Sequence, residues 1–324
     1  MQTLILVILI SFVTALGAGH FLIPVLRRLK AGQQIREDGP KSHLSKAGTP
    51  TMGGIFITLG VLAVAIIFLR EESRYLWFAM IGALAYGLIG LIDDLIIVLK
   101  HRSLGLRPWQ KLAMQFLFAV LIAIFAYKDP AIGSKLFVPI ANVEWDLGIW
   151  YIPFTVFVIM ALTNSVNLTD GLDGLAGGVT LINTATYCLI FLGLLAANVW
   201  AKDMMIFAGA VTGGILGFLR YNTYPAKVFM GDTGAFFLGG AVVMMAIISR
   251  LQILIPVMGL MYVASSVSCI LQVGSYKLRN KKRIFLMAPL HHHFEMKGVH
   301  ETKIVSVYMI ITAVTCLLTL WMLV

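Results

Sequence analysis

The stretch Met80-Ile-Gly-Ala-Leu-Ala-Tyr-Gly-Leu-Ile-Gly-Leu-Ile-Asp93-Asp94-Leu-Ile-Ile-Val-Leu99 sets two adjacent carboxylates in an otherwise apolar run. A run of this length crosses a bilayer as a helix. One charged carboxylate at the centre of such a helix costs about 2.5–3.5 kcal/mol on insertion scales. Two side by side need compensation from a metal ion, a basic partner or a water-filled cleft. The alternative is a helix end at headgroup level, where water hydrates both cheaply.

The rest of the chain decides the class. Of 324 residues, 59% are hydrophobic and only 12% charged, and the mean hydropathy is +0.90. Soluble chains are nearer a quarter charged. The apolar runs are continuous and about 20 residues long, whereas a membrane barrel would alternate over segments of about ten. The expectation is an all-α integral membrane protein, a single multi-pass domain over residues 1–324. About ten transmembrane helices are predicted at residues 3–26, 51–69, 75–95, 111–127, 150–166, 175–197, 204–219, 233–248, 253–276 and 304–324. The first span has no basic flank or small-residue cleavage site and reads as retained. Pro256 and Gly259 predict a bend in the ninth span. Residues 134–148 alternate in the manner of a small hairpin.

Loop charge sets the orientation. The loops after odd-numbered spans carry 19 of the 25 lysines and arginines, among them Lys30, Arg36, Lys41, Lys100, Arg102 and Lys111, while Arg70, Arg74 and four others lie opposite. The positive-inside rule makes the basic face cytoplasmic and leaves both termini outside. The net charge of +10 then reflects contact with anionic membrane lipids, with no nucleic acid as partner. Cys188, Cys269 and Cys316 sit in apolar segments and read as small core residues.

Five polar elements gather on the basic face. In Lys46-Ala-Gly-Thr-Pro-Thr-Met-Gly-Gly54, glycines permit close backbone approach and Lys46, Thr49 and Thr51 offer donors suited to phosphate. The Asp93-Asp94 pair precedes Lys100, Arg102, Arg107 and Lys111, which suits a divalent cation beside an anionic headgroup. Asn164-Ser-Val-Asn167-Leu-Thr-Asp170-Gly171-Leu172-Asp173 is acidic, with the two aspartates on one face if Asp170 begins a helix. Arg220-Tyr-Asn222-Thr-Tyr-Pro-Ala-Lys-Val-Phe229-Met-Gly-Asp232 adds a third carboxylate, an aromatic ring suited to stacking on a base, and an amide that could read one. Pro289-Leu-His291-His292-His293-Phe-Glu295 carries three histidines whose side chains point different ways on a helix, better phosphate or ribose donors than metal ligands.

Together these elements closely resemble the polyprenyl-phosphate N-acetylhexosamine-1-phosphate transferases. The superfamily features are Asp93-Asp94, the Asn167–Asp173 stretch and the element ending at Asp232; Pro50-Thr-Met-Gly-Gly54 and the histidine element point to its muramoyl branch. The match runs from about Lys46 to Lys297. Ile97 stands where the family usually has a lysine, and near Trp109 the chain offers Lys111.

The resemblance implies a Mg2+-dependent enzyme of peptidoglycan synthesis in the bacterial inner membrane, with its active site on the cytoplasmic face. Its partners would be UDP-MurNAc-pentapeptide and undecaprenyl phosphate, its products lipid I and UMP, and a homodimer is compatible with it. Asp232, Asp93 and Asp94 are the implied catalytic and metal-binding residues. Whether Asp93 or Asp94 activates the lipid phosphate stays open, as does a covalent aspartyl-phosphate route. Lys46, Thr51, Asn167, Asp170, Gly171, Leu172, Asp173, Asn222 and Phe229 would hold uridine and diphosphate, and His291, His292 and His293 the sugar or diphosphate end. Lys100 and Lys111 are the candidates for the lipid phosphate. A relative using UDP-GlcNAc is the nearest rival. A nucleotide-sugar or lipid transporter would share the hydropathy but not the need for three acidic elements on one face.

Overall fold

The computed structural model describes residues 1–29, 46, 48–68, 73–100 and 105–323; Lys30, Arg36, Lys41, Arg70 and Arg102 lie outside them. The helices are α1 (Gln2–Arg28), α2 (Gly54–Phe68), α3 (Arg74–Lys100), α4 (Pro108–Lys128), α5 (Tyr151–Thr169), α6 (Leu175–Gly193), α7 (Ala201–Asn222), α8 (Gly231–Ile248), α9 (Ile255–Met258), α10 (Leu260–Leu278), α11 (Leu290–Met296) and α12 (Glu301–Leu323). A two-stranded antiparallel hairpin, β1 (Lys135–Val138) and β2 (Val143–Asp146), pairs Lys135 with Asp146, as the alternation predicted.

Eight helices among the described residues are long and apolar enough to cross a membrane, and nine if the bent pair Gln252–Met258 and Leu260–Leu278 is one span. The expected second span is represented by the shorter α2. The bend measures 83° and falls at Gly259, where the ninth span was expected to bend.

Lipid offers no hydrogen bonds, so hydroxyls on spans must find partners within the protein. Many turn back onto their own helix: Thr163 donates to Ile159 O (2.8 Å), Thr180 to Ala176 O (2.6 Å) and Thr312 to Tyr308 O (2.8 Å). Asp203 Oδ2, in the first turn of α7, accepts from the N–H groups of Tyr75 (3.1 Å) and Leu76 (3.3 Å) at the start of α3.

The centre of the bundle is α8. Every residue from Thr233 to Ile248 is buried, and α2, α3 and α5 pack around it. A helix apolar on all sides belongs in such a position. Close approach depends on glycine: a Cβ on Gly90 would lie 2.1 Å from the carbonyl oxygen of Asp232, and one on Gly54 would lie 2.1 Å from Gly234 Cα. These contacts bring α2 and α3 against the first turn of α8. Gly90→Ala should therefore lower the thermal unfolding midpoint in detergent by more than about 2 °C. Gly17→Ala, whose Cβ meets nothing within 4 Å, should not lower it. Equal midpoints for the two variants would contradict this packing.

Candidate active site

A helix start leaves backbone N–H groups without partners and carries partial positive charge. Met230, the residue before α8, provides no side-chain cap. The cap comes from α3. Asp94 Oδ2 accepts from the N–H (2.9 Å) and the hydroxyl (2.7 Å) of Thr233, and Oδ1 accepts from the N–H of Asp232 (3.2 Å). Asp94 is only 4% exposed, and these three donors compensate its burial.

Asp93 has different partners. Its Oδ1 accepts from the N–H of Leu106 (2.8 Å), and its Oδ2 lies 3.2 Å from Lys111 Nζ. The same ammonium meets Asp232 Oδ2 at 2.5 Å, while Asp232 Oδ1 accepts from the Asn167 amide (2.8 Å). Lys111, near the start of α4, thus bridges carboxylates carried by α3 and α8. The Lys111 and Asp232 side chains are 21% and 25% exposed, so the bridge is partly open at the surface. Lys100 is at the exposed end of α3, six residues beyond Asp94.

A second cluster forms around Lys46. Its ammonium donates to Asp173 Oδ1 (2.8 Å) and to Glu301 Oε2 (2.6 Å), and it lies 5.9 Å from the centre of the Tyr224 ring. Burial works against the charge, but hydrogen bonds and attraction from the two carboxylates outweigh it and hold the Lys46 ammonium above its ordinary pKa. Asp173 Oδ2 also accepts from the N–H of Ala226 (2.9 Å), which ties the α7–α8 loop to the α5–α6 loop.

The α5–α6 loop links the clusters. It does not begin a helix at Asp170: α5 ends at Thr169, Asp170 is its C-cap, and α6 starts after Gly174, whose φ is +77°. Asp170 and Asp173 therefore do not share a helix face. Asp170 lies within electrostatic reach of Asp232, Asp94 and Asp173. Burial first, and then these like charges, push its carboxyl up to about 8. Leu172, two residues further on, is buried.

Several expected ligand groups have structural partners. Asn222 accepts from the N–H of Gly174 (3.1 Å) and donates to Val228 O (2.9 Å), clamping the α7–α8 loop. Phe229 is half-buried, and its backbone pairs with Pro50 O and with the N–H of Gly53, both at 2.8 Å. The Gly54 N–H donates to Met230 O (2.9 Å). The Gly53 and Gly54 amides are thus engaged with the chain, which leaves Lys46 and the threonines as this loop's candidate phosphate donors. Thr51 is buried, and a Cβ on Gly231 would lie 2.7 Å from its hydroxyl.

The histidines divide, as consecutive helical positions should. A Cβ on Gly171 would meet His291 Nε2 at 2.2 Å and His292 Nε2 at 3.0 Å, so both rings lie against the acidic loop. His292 also meets Glu295 (3.0 Å). His293 Nδ1 instead accepts from the N–H of Leu286 (3.1 Å), and burial together with Lys297 lowers its pKa. Glu301 escaped the sequence reading because an acidic residue in a first helical turn is ordinary dipole complementation.

All these groups lie in, or on helix ends beside, the loops α1–α2, α3–α4, α5–α6 and α7–α8 and the segment joining α10 to α12, which meet at one end of the bundle. For a metal, the candidates are Asp232 and Asp93. No group of three His, Cys, Asp or Glu among the described residues is arranged to hold one. Two carboxylates completed by water and phosphate oxygens suit magnesium, which rarely takes an all-protein cage. Asp94, with its oxygens turned to the helix start, is the poorer ligand.

Comparison with known proteins identifies the family. Residues 76–250 match glycosyl transferase family 4, and residues 46–57 match signature 1 of phospho-N-acetylmuramoyl-pentapeptide-transferase. Curated proteins of that name are similar over nearly their whole length. That of Caldanaerobacter subterraneus subsp. tengcongensis is 48% identical over 97% of this chain and 96% of its own. That of Clostridium novyi is 44% identical over 98% and 96%, and that of a Thermoanaerobacter species 46% identical over 99% of both. On this identity and coverage, and on the signature that begins at Lys46, the chain belongs to the phospho-N-acetylmuramoyl-pentapeptide-transferase family.

Proposed function

We propose that the protein transfers phospho-MurNAc-pentapeptide from UDP-MurNAc-pentapeptide to undecaprenyl phosphate, releasing UMP and lipid I. The observation that carries this reading is the Lys111 ammonium held between Asp93 and Asp232 at the ends of apolar helices. One substrate is anchored in lipid and the other is dissolved in water, so the reaction belongs at a membrane boundary. Phosphoryl transfer is catalysed chiefly by positioning and by neutralising charge on oxygen.

In this reading Lys111 receives a phosphate oxygen of the lipid carrier, the position that Ile97 leaves without a cation. Asp93 orients Lys111. Asn167 fixes one oxygen of Asp232, and Lys111 holds the other. Asp94 is a positioning residue that sets the first turn of α8, and with it Asp232. A magnesium ion held by Asp232 and Asp93 would offset the charge of the diphosphate. Lys46 and Asp173 hold the nucleotide away from the reacting phosphates, and His291 and His292 line the side nearest Gly171. We place residues 1–324 as one multi-pass domain of ten spans in the bacterial inner membrane, with both termini outside and this end of the bundle in the cytoplasm.

Release of UMP from the donor tests the reading. Asp232→Asn should lower kcat at least about 100-fold with the unfolding midpoint unchanged; near-native turnover would remove Asp232 from the chemistry. Asp94→Asn should lower both kcat and the midpoint, because it weakens the cap of α8; a loss of kcat alone would make Asp94 a direct participant.

Lys46→Ala should raise the KM for the nucleotide substrate about tenfold or more, with kcat within about threefold. A loss confined to kcat would place Lys46 at the reacting phosphates instead. Chelation of divalent cations should abolish UMP release and magnesium should restore it, whereas full activity in chelator would exclude the metal.

A further inference from the structure

Glu301 opens α12 and is only 7% exposed. Its Oε2 accepts from Lys46 at 2.6 Å. Its Oε1 is buried and has no hydrogen-bond partner among the described residues. Such an orphaned atom is costly and calls for an explanation, since buried polar groups are nearly always paired. An ammonium between two carboxylates also leaves one negative charge in excess, so the cluster suits an incoming hydrogen-bond donor.

The chemistry of the donor substrate narrows what that group is. Phosphate oxygens near neutral pH are acceptors; they cannot satisfy Oε1 and are repelled by it. The reacting phosphates are already placed at Lys111 and Asp232. The proposed function places the nucleotide at Lys46 and Asp173 and the sugar end at the histidines, so the donor group beside Oε1 belongs to the nucleoside, which carries ribose hydroxyls and the N3–H of uracil. Tyr224, which lies 5.9 Å from Lys46 and rests edge-on against His300 with ring centres 5.3 Å apart, supplies an aromatic wall beside the same cluster. Resting on the proposed function, we infer that Glu301 is a nucleoside-binding residue: Oε1 accepts a hydrogen bond from a ribose hydroxyl or the uracil N–H, while Oε2 fixes Lys46. The site therefore extends from the α5–α6 loop to the first turn of the last helix.

The test uses the full chain in detergent with UMP, 2′-deoxy-UMP, 3′-deoxy-UMP and 3-methyl-UMP, each binding isotherm recorded on the native protein and on Glu301→Gln. On the native protein, one of the three altered nucleotides should bind about tenfold more weakly than UMP, as expected for a lost hydrogen bond to a charged group. Glu301→Gln should weaken UMP by a similar factor and leave that one analogue unaffected, the signature of a direct pair. It should also raise the KM for the donor while kcat stays within about threefold.

Equal weakening of UMP and all three analogues by the variant would mean that Glu301 only braces Lys46, and would overturn the inference. So would equal binding of all four nucleotides to the native protein, a result that holds even if the variant fails to fold. The proposed function fails separately, if native protein releases no UMP from UDP-MurNAc-pentapeptide. Native release with an unaltered KM in Glu301→Gln would overturn the inference alone.

Discussion

The N-terminus of α8 lies inside the bundle, and its unpaired N–H groups require a negative partner where water is scarce. Asp94 answers that requirement from the neighbouring helix, taking both the Asp232 and Thr233 amides and the Thr233 hydroxyl. The arrangement needs α3 to approach α8 closely, which Gly90 permits. It also fixes Asp232 at the lip of the core, with its carboxylate partly exposed between Asn167 and Lys111. The cost of burying Asp94 is thereby turned into placement of its neighbour across the helix pair.

From that fixed point the rest of the polar end follows. Lys111 joins Asp232 to Asp93, and Lys46 joins Asp173 to Glu301. Each cluster is one ammonium between two carboxylates, so each carries an excess of negative charge. In low dielectric such an excess attracts a further positive or proton-bearing group. In the proposed function the first cluster takes a divalent cation and the second a neutral hydrogen-bond donor. Asp170, raised first by its burial, also feels a carboxylate of each cluster, Asp232 and Asp173, in its raised pKa.

Much of this was legible in the chain because membrane insertion imposes a simple code. Continuous apolar runs gave eight of the expected spans, or nine with the bent pair, among the described residues, the alternation in 134–148 gave the hairpin, and Gly259 gave the bend. The polar elements were recognisable one by one because a carboxylate beside a span has few innocent explanations. What could not be read was pairing. Nothing local to Asp93-Asp94 says that the first would meet a lysine and the second a helix start. Asn222 looks like a ligand group, but its partners, the Gly174 N–H and Val228 O, are set by how two loops meet. Glu301 was invisible for the same reason, since its meaning comes from Lys46, 255 positions earlier. The second span was drawn from residue 51, while helix starts only at Gly54, because the residues before it pair with the α7–α8 loop instead.

The account stands on Asp93 and Asp232 facing one shared charge at the open edge of the α8 cap. Anomalous diffraction from crystals grown with manganese and UMP measures this most directly. A manganese peak within about 2.5 Å of an Asp232 carboxylate oxygen, with Asp94 still hydrogen-bonded to Thr233, is the predicted result. A peak at the histidines of α11, or at Asp94 with the α8 start uncapped, would contradict it.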